Sequence, residues 1–158
     1  MAKLLVVYHS RGGHTERMAE LVAEGAEDAG ADVTLKPIEQ TDASELPGYD
    51  GIIAGSPTYY GLMSAPLKRL FDESVRYHKE LSGKVGGAFT SSANIGGGNE
   101  TTILSILQAM LIHGMVVQGT AAGDHYGPVA INEPDERASE QSKALGRRVA
   151  ELAEKLHG

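Results

Sequence analysis

Apolar residues along the chain follow two rhythms. Short unbroken runs alternate with stretches in which they recur every three or four positions. Lys3–Tyr8 is a run of β-formers that ends in polar residues and two glycines, the mark of a strand buried on both faces. Thr15–Ala29 then carries Met18, Leu21, Val22 and Ala26 at helical spacing, and Gly30 sits where a C-terminal glycine cap belongs. Asp32–Pro37 reads as a weaker second strand, and Asp42–Pro47 as one short helical turn. Tyr49–Gly55 holds a third strand around Ile52 and Ile53. Leu67, Leu70, Phe71 and Val75 then mark a helix with Pro66 in its first turn. Val85–Phe89 is a fourth strand. The cleanest helical period follows it: Ile103, Ile106, Leu107, Met110 and Leu111, with Asn99 as the expected N-cap and His113-Gly114 as the stop. Met115–Gly119 is expected as a fifth strand, and Leu145, Val149, Leu152 and Leu156 as a last helix starting near Pro134.

Five strands alternating with helices predict an α/β protein, a doubly wound parallel sheet covered on both faces. Such sheets bind ligands beyond the carboxyl ends of their strands. No linker, repeat or low-complexity tract interrupts the 158 residues, so one domain over 1–158 is expected.

Composition narrows the function. Asp plus Glu is 21 against 14 Lys plus Arg, a net charge of −7. That disfavours nucleic acid as a partner, because its binding rests on Lys/Arg–phosphate contacts. It disfavours anionic membrane surfaces too. The absence of cysteine excludes disulfides, thiol redox chemistry and iron–sulfur ligation. The apolar run at Leu4–Tyr8 is far short of the roughly 18–20 residues of a membrane span, and no signal-peptide pattern surrounds it. A soluble cytoplasmic protein is the expectation. The six histidines show no metal-ligand spacing, so no metal site is expected. Glycine is the outlier, with 20 residues where ~7% is usual, and its clustering points to loops whose backbone geometry matters.

Three loops follow strands one, three and four, and the topology places them at one end of the sheet. Ser10-Arg11-Gly12-Gly13-His14-Thr15 joins a strand to a helix N-terminus. Unpaired N–H groups, two glycines, two hydroxyls and two basic side chains there suit a phosphate; an ordinary tight turn is the alternative. No Gly-Lys-Ser/Thr follows, so it is not a Walker A loop, and G-x-G-x-x-G is absent. Gly55-Ser56-Pro57-Thr58-Tyr59-Tyr60-Gly61 offers two adjacent tyrosines to a planar ligand, unless one of them is simply packed. Thr90–Glu100 contains Gly96-Gly97-Gly98, read as backbone wrapped closely around something flat rather than a floppy surface loop.

These residues resemble the flavodoxin-like proteins that bind FMN, and most of all the WrbA-type NAD(P)H:quinone oxidoreductases. The resemblance rests on Tyr8–Ala19, Gly55–Ser64, Gly96–Ile103, His113–Val117 and Tyr126-Gly127, in order along nearly the whole chain. It implies a flavodoxin-like five-stranded parallel sheet of order 2-1-3-4-5. It implies that Ser10, Arg11, Gly12, Gly13, His14 and Thr15 hold the FMN phosphate. Pro57, Thr58, Tyr59, Tyr60 and Gly61 would line the ring and ribityl chain. Thr90, Ser91, Ser92, Ala93, Asn94, Gly96 and Gly97 would meet the isoalloxazine edge. His113 would reach the ring from the end of its helix. Tyr60, His113, His125 and Tyr126 are the candidate substrate contacts, with His125 and Tyr126 on a loop after strand five. Two segments are shorter than in that family, one between strands two and three, one between strand five and Tyr126-Gly127. The family's pocket-mouth tryptophan is absent, with Tyr77 or His78 nearest to its place.

The implied reaction is two-electron transfer from NAD(P)H through FMN to a quinone, with the flavin supplying the chemistry and no obligatory side-chain catalyst. The alternative is a flavodoxin-type electron carrier between protein partners, to which the acidic charge would suit basic partners. Carriers usually cover the outer flavin face with an aromatic from the third loop, and Thr90–Asn99 has none. A non-enzymatic flavin-binding sensor is a third reading. The resemblance also implies a homo-oligomer, dimer or tetramer, with Leu62, Met63 and Leu67 as contact candidates, Leu67 fitting the core better.

Overall fold

The computed structural model describes residues 1–158. Its strands are β1 (Lys3–Tyr8), β2 (Asp32–Pro37), β3 (Gly51–Pro57), β4 (Val85–Ser92), β5 (Val116–Val117) and β6 (Val129–Ile131). Its helices are α1 (His14–Asp28), α2 (Ala65–Glu73), α3 (Asn99–Ile112) and α4 (Glu136–His157). Short 3-10 turns occupy Ile38–Gln40, Ala43–Gly48 and Ser74–Tyr77. All pairings are parallel, in the order β2-β1-β3-β4-β5, with β6 also on β4.

Alternation along β1 sorts the core into two layers. Leu4, Val6 and Tyr8 pack with Met18, Val22, Leu145 and Val149 of α1 and α4. Leu5 and Val7 pack with Leu67, Leu70, Ile103, Ile106 and Met110 of α2 and α3. Helices α1 and α4 approach backbone to backbone. Gly25 lies on the Lys143 carbonyl and Gly146 on the Val22 carbonyl, where no Cβ fits. Several glycines therefore serve helix and sheet packing rather than loops.

Both expected glycine stops are present. After α1, Gly30 N–H donates to the Glu27 carbonyl and Ala31 N–H to Ala26; after α3, Gly114 N–H donates to Leu111 and Met115 N–H to Met110. These are paired Schellman contacts. Two expectations change. Asn99 is the first residue of α3 rather than its N-cap, and Gly98 takes the cap position in a left-handed conformation. The fifth strand is not Met115–Gly119 but two separate pieces. Val116–Val117 pairs with the start of β4, and Val129–Ile131 with its end. Between them the chain leaves the sheet edge. The Asp124 carboxylate accepts from Val129 N–H and from Arg137, which ties the excursion to β6 and α4.

Candidate functional site

The carboxyl ends of β1, β3 and β4 carry the three loops singled out in the sequence. β1 runs out at Tyr8, and Gly13, held left-handed at φ 92°, turns the chain into α1. Ser10 Oγ accepts from Gly13 N–H at 3.1 Å, which folds the loop over itself. The N–H groups of Ser10, Arg11, Gly12, His14, Thr15 and Glu16 meet no acceptor within the protein. They form a cradle of donors at the positive end of α1. The one carboxylate in this first turn is turned away: Glu16 accepts from the Tyr8 hydroxyl at 3.0 Å. Burial, then Glu16, pushes the Tyr8 phenol up to about 12, so it stays protonated as a donor.

This cradle opens on a cleft of about 190 Å³ lined by Ser10, Arg11, Gly12, His14, Thr15, Pro57, Thr58, Tyr59, Ser91, Ser92, Ala93 and Asn132. The three loops are tied together at its floor. Thr15 Oγ1 bonds Ser91 Oγ at 2.8 Å, and Thr58 N–H donates to the Ser91 carbonyl at 2.9 Å. Thr90 is fully buried beneath the cleft. Its hydroxyl donates to the Ser56 carbonyl at 2.6 Å, so Thr58 donates to Thr90 across their 2.8 Å contact. Thr90 is thus a strut between loops, not the ligand-facing residue expected of it.

Tyr59 and Leu62 close a tight turn through reciprocal backbone bonds. Its two central residues, Tyr60 and Gly61, both have positive φ, 50° and 76°. That is the backbone of a type I′ turn. It costs a tyrosine strain and holds the Tyr60 ring fully in solvent at the tip. Tyr59 is exposed, and its ring meets the buried His9 edge-on at 6.3 Å.

The glycine loop has a cause besides a flat ligand. Gly96 and Gly98 take φ of 72° and 99°, and Gly98 rests on Gly61, whose Cα would lie 2.7 Å from any added Cβ. Backbone geometry and loop-to-loop packing explain two of the three glycines. Asn94 bonds within the loop, its amide donating to the Ile95 carbonyl. Gly96 and Gly98 face a larger hollow of about 670 Å³ on the other side, with Ile95, Ile131 and Arg137. The loop is therefore a wall between two concavities.

Three expected site residues lie elsewhere. His113 caps the far end of α3, roughly 20 Å along a 14-residue helix from the glycine loop. It is buried, with Nε2 bonded to Ser74 Oγ at 2.7 Å and its ring 5.6 Å from His78. Ser74 already donates to the Phe71 carbonyl, so His113 must donate from Nε2. A helix that begins at the carboxyl edge of a parallel sheet ends at the opposite edge. His113 therefore cannot reach the three loops of its own chain. His125 and Tyr126 sit on the loop after β5, as expected, and that loop is an excursion leading to β6. His125 bonds the Thr120 carbonyl of its own loop, and neither residue lines the cleft.

Two residues at the cleft were missed in the sequence, Asn132 and Glu133. Asn132 lines it in a left-handed conformation, φ 58°, and Glu133 Oε2 bonds His14 Nδ1 at 3.0 Å. Their signal was an Asn before Glu-Pro, a type that tolerates positive φ, but it needed β6 to be recognised first.

Known proteins are similar to this chain over nearly its full length. The chain is 38% identical over 190 aligned positions to an NAD(P)H dehydrogenase (quinone) of Archaeoglobus fulgidus, covering 99% of this chain and 100% of that one. The alignment is longer than this chain, so that relative carries stretches absent here. It is 42% identical over 160 positions to a flavodoxin of Aquifex aeolicus, covering 96% of this chain and 86% of that one. A WrbA-like flavodoxin from Agrobacterium tumefaciens superposes with a TM-score of 0.83 at 33% identity, covering 99% of both chains. With residues 6–150 matching the flavodoxin family, the chain belongs to that family.

Proposed function

We propose that the protein is an FMN-dependent oxidoreductase passing two electrons from NAD(P)H to a quinone or similar small acceptor. The observation that carries the reading is the cradle of unpaired N–H donors at the start of α1, flanked by Ser10, Arg11, His14 and Thr15. A phosphate monoester offers only acceptors at neutral pH, so the two are complementary. The N–H groups of Ala93, Asn94, Ile95 and Gly96 are likewise without acceptors, and suit the carbonyl edge of a flavin ring. The residues present therefore fit FMN.

Bound FMN would supply the two-electron chemistry. The chain's part is to hold and to leave room. Ser10–Thr15 would anchor the phosphate, Thr58 and Tyr59 would flank the ribityl chain, and Ser91–Gly97 would fix the ring edge. No aromatic stands on the third loop to cover the ring; its one large apolar residue, Ile95, points into solvent. An open ring face admits nicotinamide and quinone in turn. Relatives at 36–38% identity named NAD(P)H dehydrogenase (quinone) support this reading.

The decisive experiment is an anaerobic visible spectrum of FMN-loaded protein with NADH or NADPH added. Prompt bleaching is expected. A flavin that stays yellow with both donors would replace this reading with an electron carrier. The carrier reading has one observation in its favour, the 42% identity to the Aquifex flavodoxin over 96% of this chain. Replacing Ser10 and Thr15 together with Ala should weaken FMN at least about tenfold, two hydroxyl bonds to an anion, and leave riboflavin unchanged. Unchanged FMN affinity would sink the phosphate assignment.

The reading takes residues 1–158 as one FMN-binding domain working in the cytoplasm. No helix is long and apolar enough to cross a membrane. It includes a homo-oligomer, dimer or tetramer. His113 can meet a flavin only if that flavin belongs to another chain. Leu62, Val75 and Ile112 are exposed apolar residues suited to a contact, whereas Leu67 is core. A monomer by light scattering would exclude the oligomer.

A further inference from the structure

The turn between β6 and α4 reaches across to the start of α1. Glu133 Oε2 and His14 Nδ1 meet at 3.0 Å although 119 residues separate them in sequence. We infer that this pair is a proton-linked clamp on the cofactor's phosphate, in which His14 binds as an imidazolium and Glu133 positions it. The inference rests on the FMN reading and adds to it a role for two residues.

The chemistry follows from what each atom can offer. A carboxylate has acceptors only, so Nδ1 carries the hydrogen and donates to Glu133. That leaves Nε2 as the other ring nitrogen of a residue lining the cleft. In the neutral ring Nε2 is a lone pair, which a phosphate dianion repels. In the charged ring it is a donor, which the dianion attracts. Without an anion, a positive ring at the N-terminus of α1 is opposed by the helix dipole. With the anion present, the ring lies between two negative groups. Binding the phosphate therefore draws a proton onto His14.

Of the other charges nearby, all but Glu136 are engaged or of the same sign. Arg11 lines the same cleft and adds positive charge. On α1, Glu16 accepts from Tyr8, and Arg17 pairs with Glu20. At the start of α4, Asp135 caps the Ala138 N–H and Arg137 is held by Asp124. Glu136 follows Asp135 in the first turn of α4, and no bond ties it to His14. Glu133 is thus the one acid bonded to His14. Asn132 in its left-handed conformation and its N–H bond to the Ser92 carbonyl hold the turn in place.

The test is FMN affinity against pH, by quenching of flavin fluorescence, beside riboflavin, which lacks the phosphate. The second ionisation of a phosphate monoester lies near 6, so the useful window is about pH 7 to about pH 9. Wild-type affinity for FMN is expected to fall about tenfold across it, the loss of one charge-assisted bond, with riboflavin flat. His14→Gln should bind FMN with no slope. Glu133→Gln should begin its fall at lower pH, since its imidazolium is less favoured. Calorimetry near pH 7.5 in buffers of different ionisation heat should show proton uptake with FMN and none with riboflavin. A slope retained in His14→Gln, an equal slope with riboflavin, or a Glu133→Gln profile superimposable on wild type would overturn the clamp and leave the FMN reading intact. Failure of the wild type to bind FMN at any pH would overturn both.

Discussion

Helix α3 touches both edges of the sheet, and its two ends differ in kind. At its start, Gly98 packs on Gly61, and the N–H groups of Gly98, Asn99 and Thr101 are unpaired. At its end, Gly114 and Met115 close the helix with paired backbone bonds, and His113 is tied to Ser74. The first end offers donors to a ligand. The second has spent nearly all of its groups on the fold, with only His113 Nδ1 buried and unpartnered. The difference follows from the parallel sheet. Every helix N-terminus gathers at the carboxyl edge, where loops open. The returns after α1 and α3 at the other edge are short and closed by paired backbone bonds at Gly30 and Gly114.

The sharpest way to break this contrast is at the open end. Gly98→Ala forces a Cβ against the Gly61 backbone in a conformation that L residues rarely adopt. Stability should fall by about 2 kcal/mol in urea titration, and FMN affinity by at least about tenfold, because two loops separate. Wild-type values for both would mean that the glycine contact is incidental.

The closed end should behave in the opposite way. His113→Gln should cost about 1 kcal/mol at neutral pH, one buried hydrogen bond, with FMN affinity of the single chain unchanged. Burial, then the charge of nearby His78, pushes His113 below the ordinary imidazole value. The unfolded chain therefore binds a proton more readily than the folded one. Stability is complete above an ordinary value of about 6.5 and declines as pH falls below it. Wild-type Tm should drop between about pH 7.5 and about pH 5 by more than that of His113→Gln. Equal drops in the two proteins would show that His113 is not the sensitive group.

The smallest effect separates strain from function on the open side. Tyr60→Gly removes a left-handed tyrosine and should raise stability by up to about 1 kcal/mol. It should also change the bound-flavin spectrum, because the ring at the turn tip is gone. A stability gain without a spectral change would place Tyr60 outside the flavin contact.

Much of this architecture was legible in one dimension. β1, β2 and the cores of β3 and β4 stand out as apolar runs, and the stops at Gly30 and Gly114 were visible as glycines after helical periods. The donor-rich loop was legible because its residue types are local: Ser10 to Thr15 are contiguous and need only a strand before and a helix after. β6 was not legible, since three residues at a sheet edge carry little hydrophobic signal. Its loss hid Asn132 and Glu133. His113 was misplaced because a motif gives order along the chain but not which edge of the sheet a helix end meets.

The sequence by itself determined the periods, the helix stops and the donor-rich loop, because each depends on neighbours a few residues away. The tertiary structure alone decided that Thr90 is a strut, that Gly98 answers Gly61, that Glu133 meets His14 and that His113 turns from the site. Those outcomes depend on groups tens of residues apart being pressed together, and only the packed sheet sets such distances.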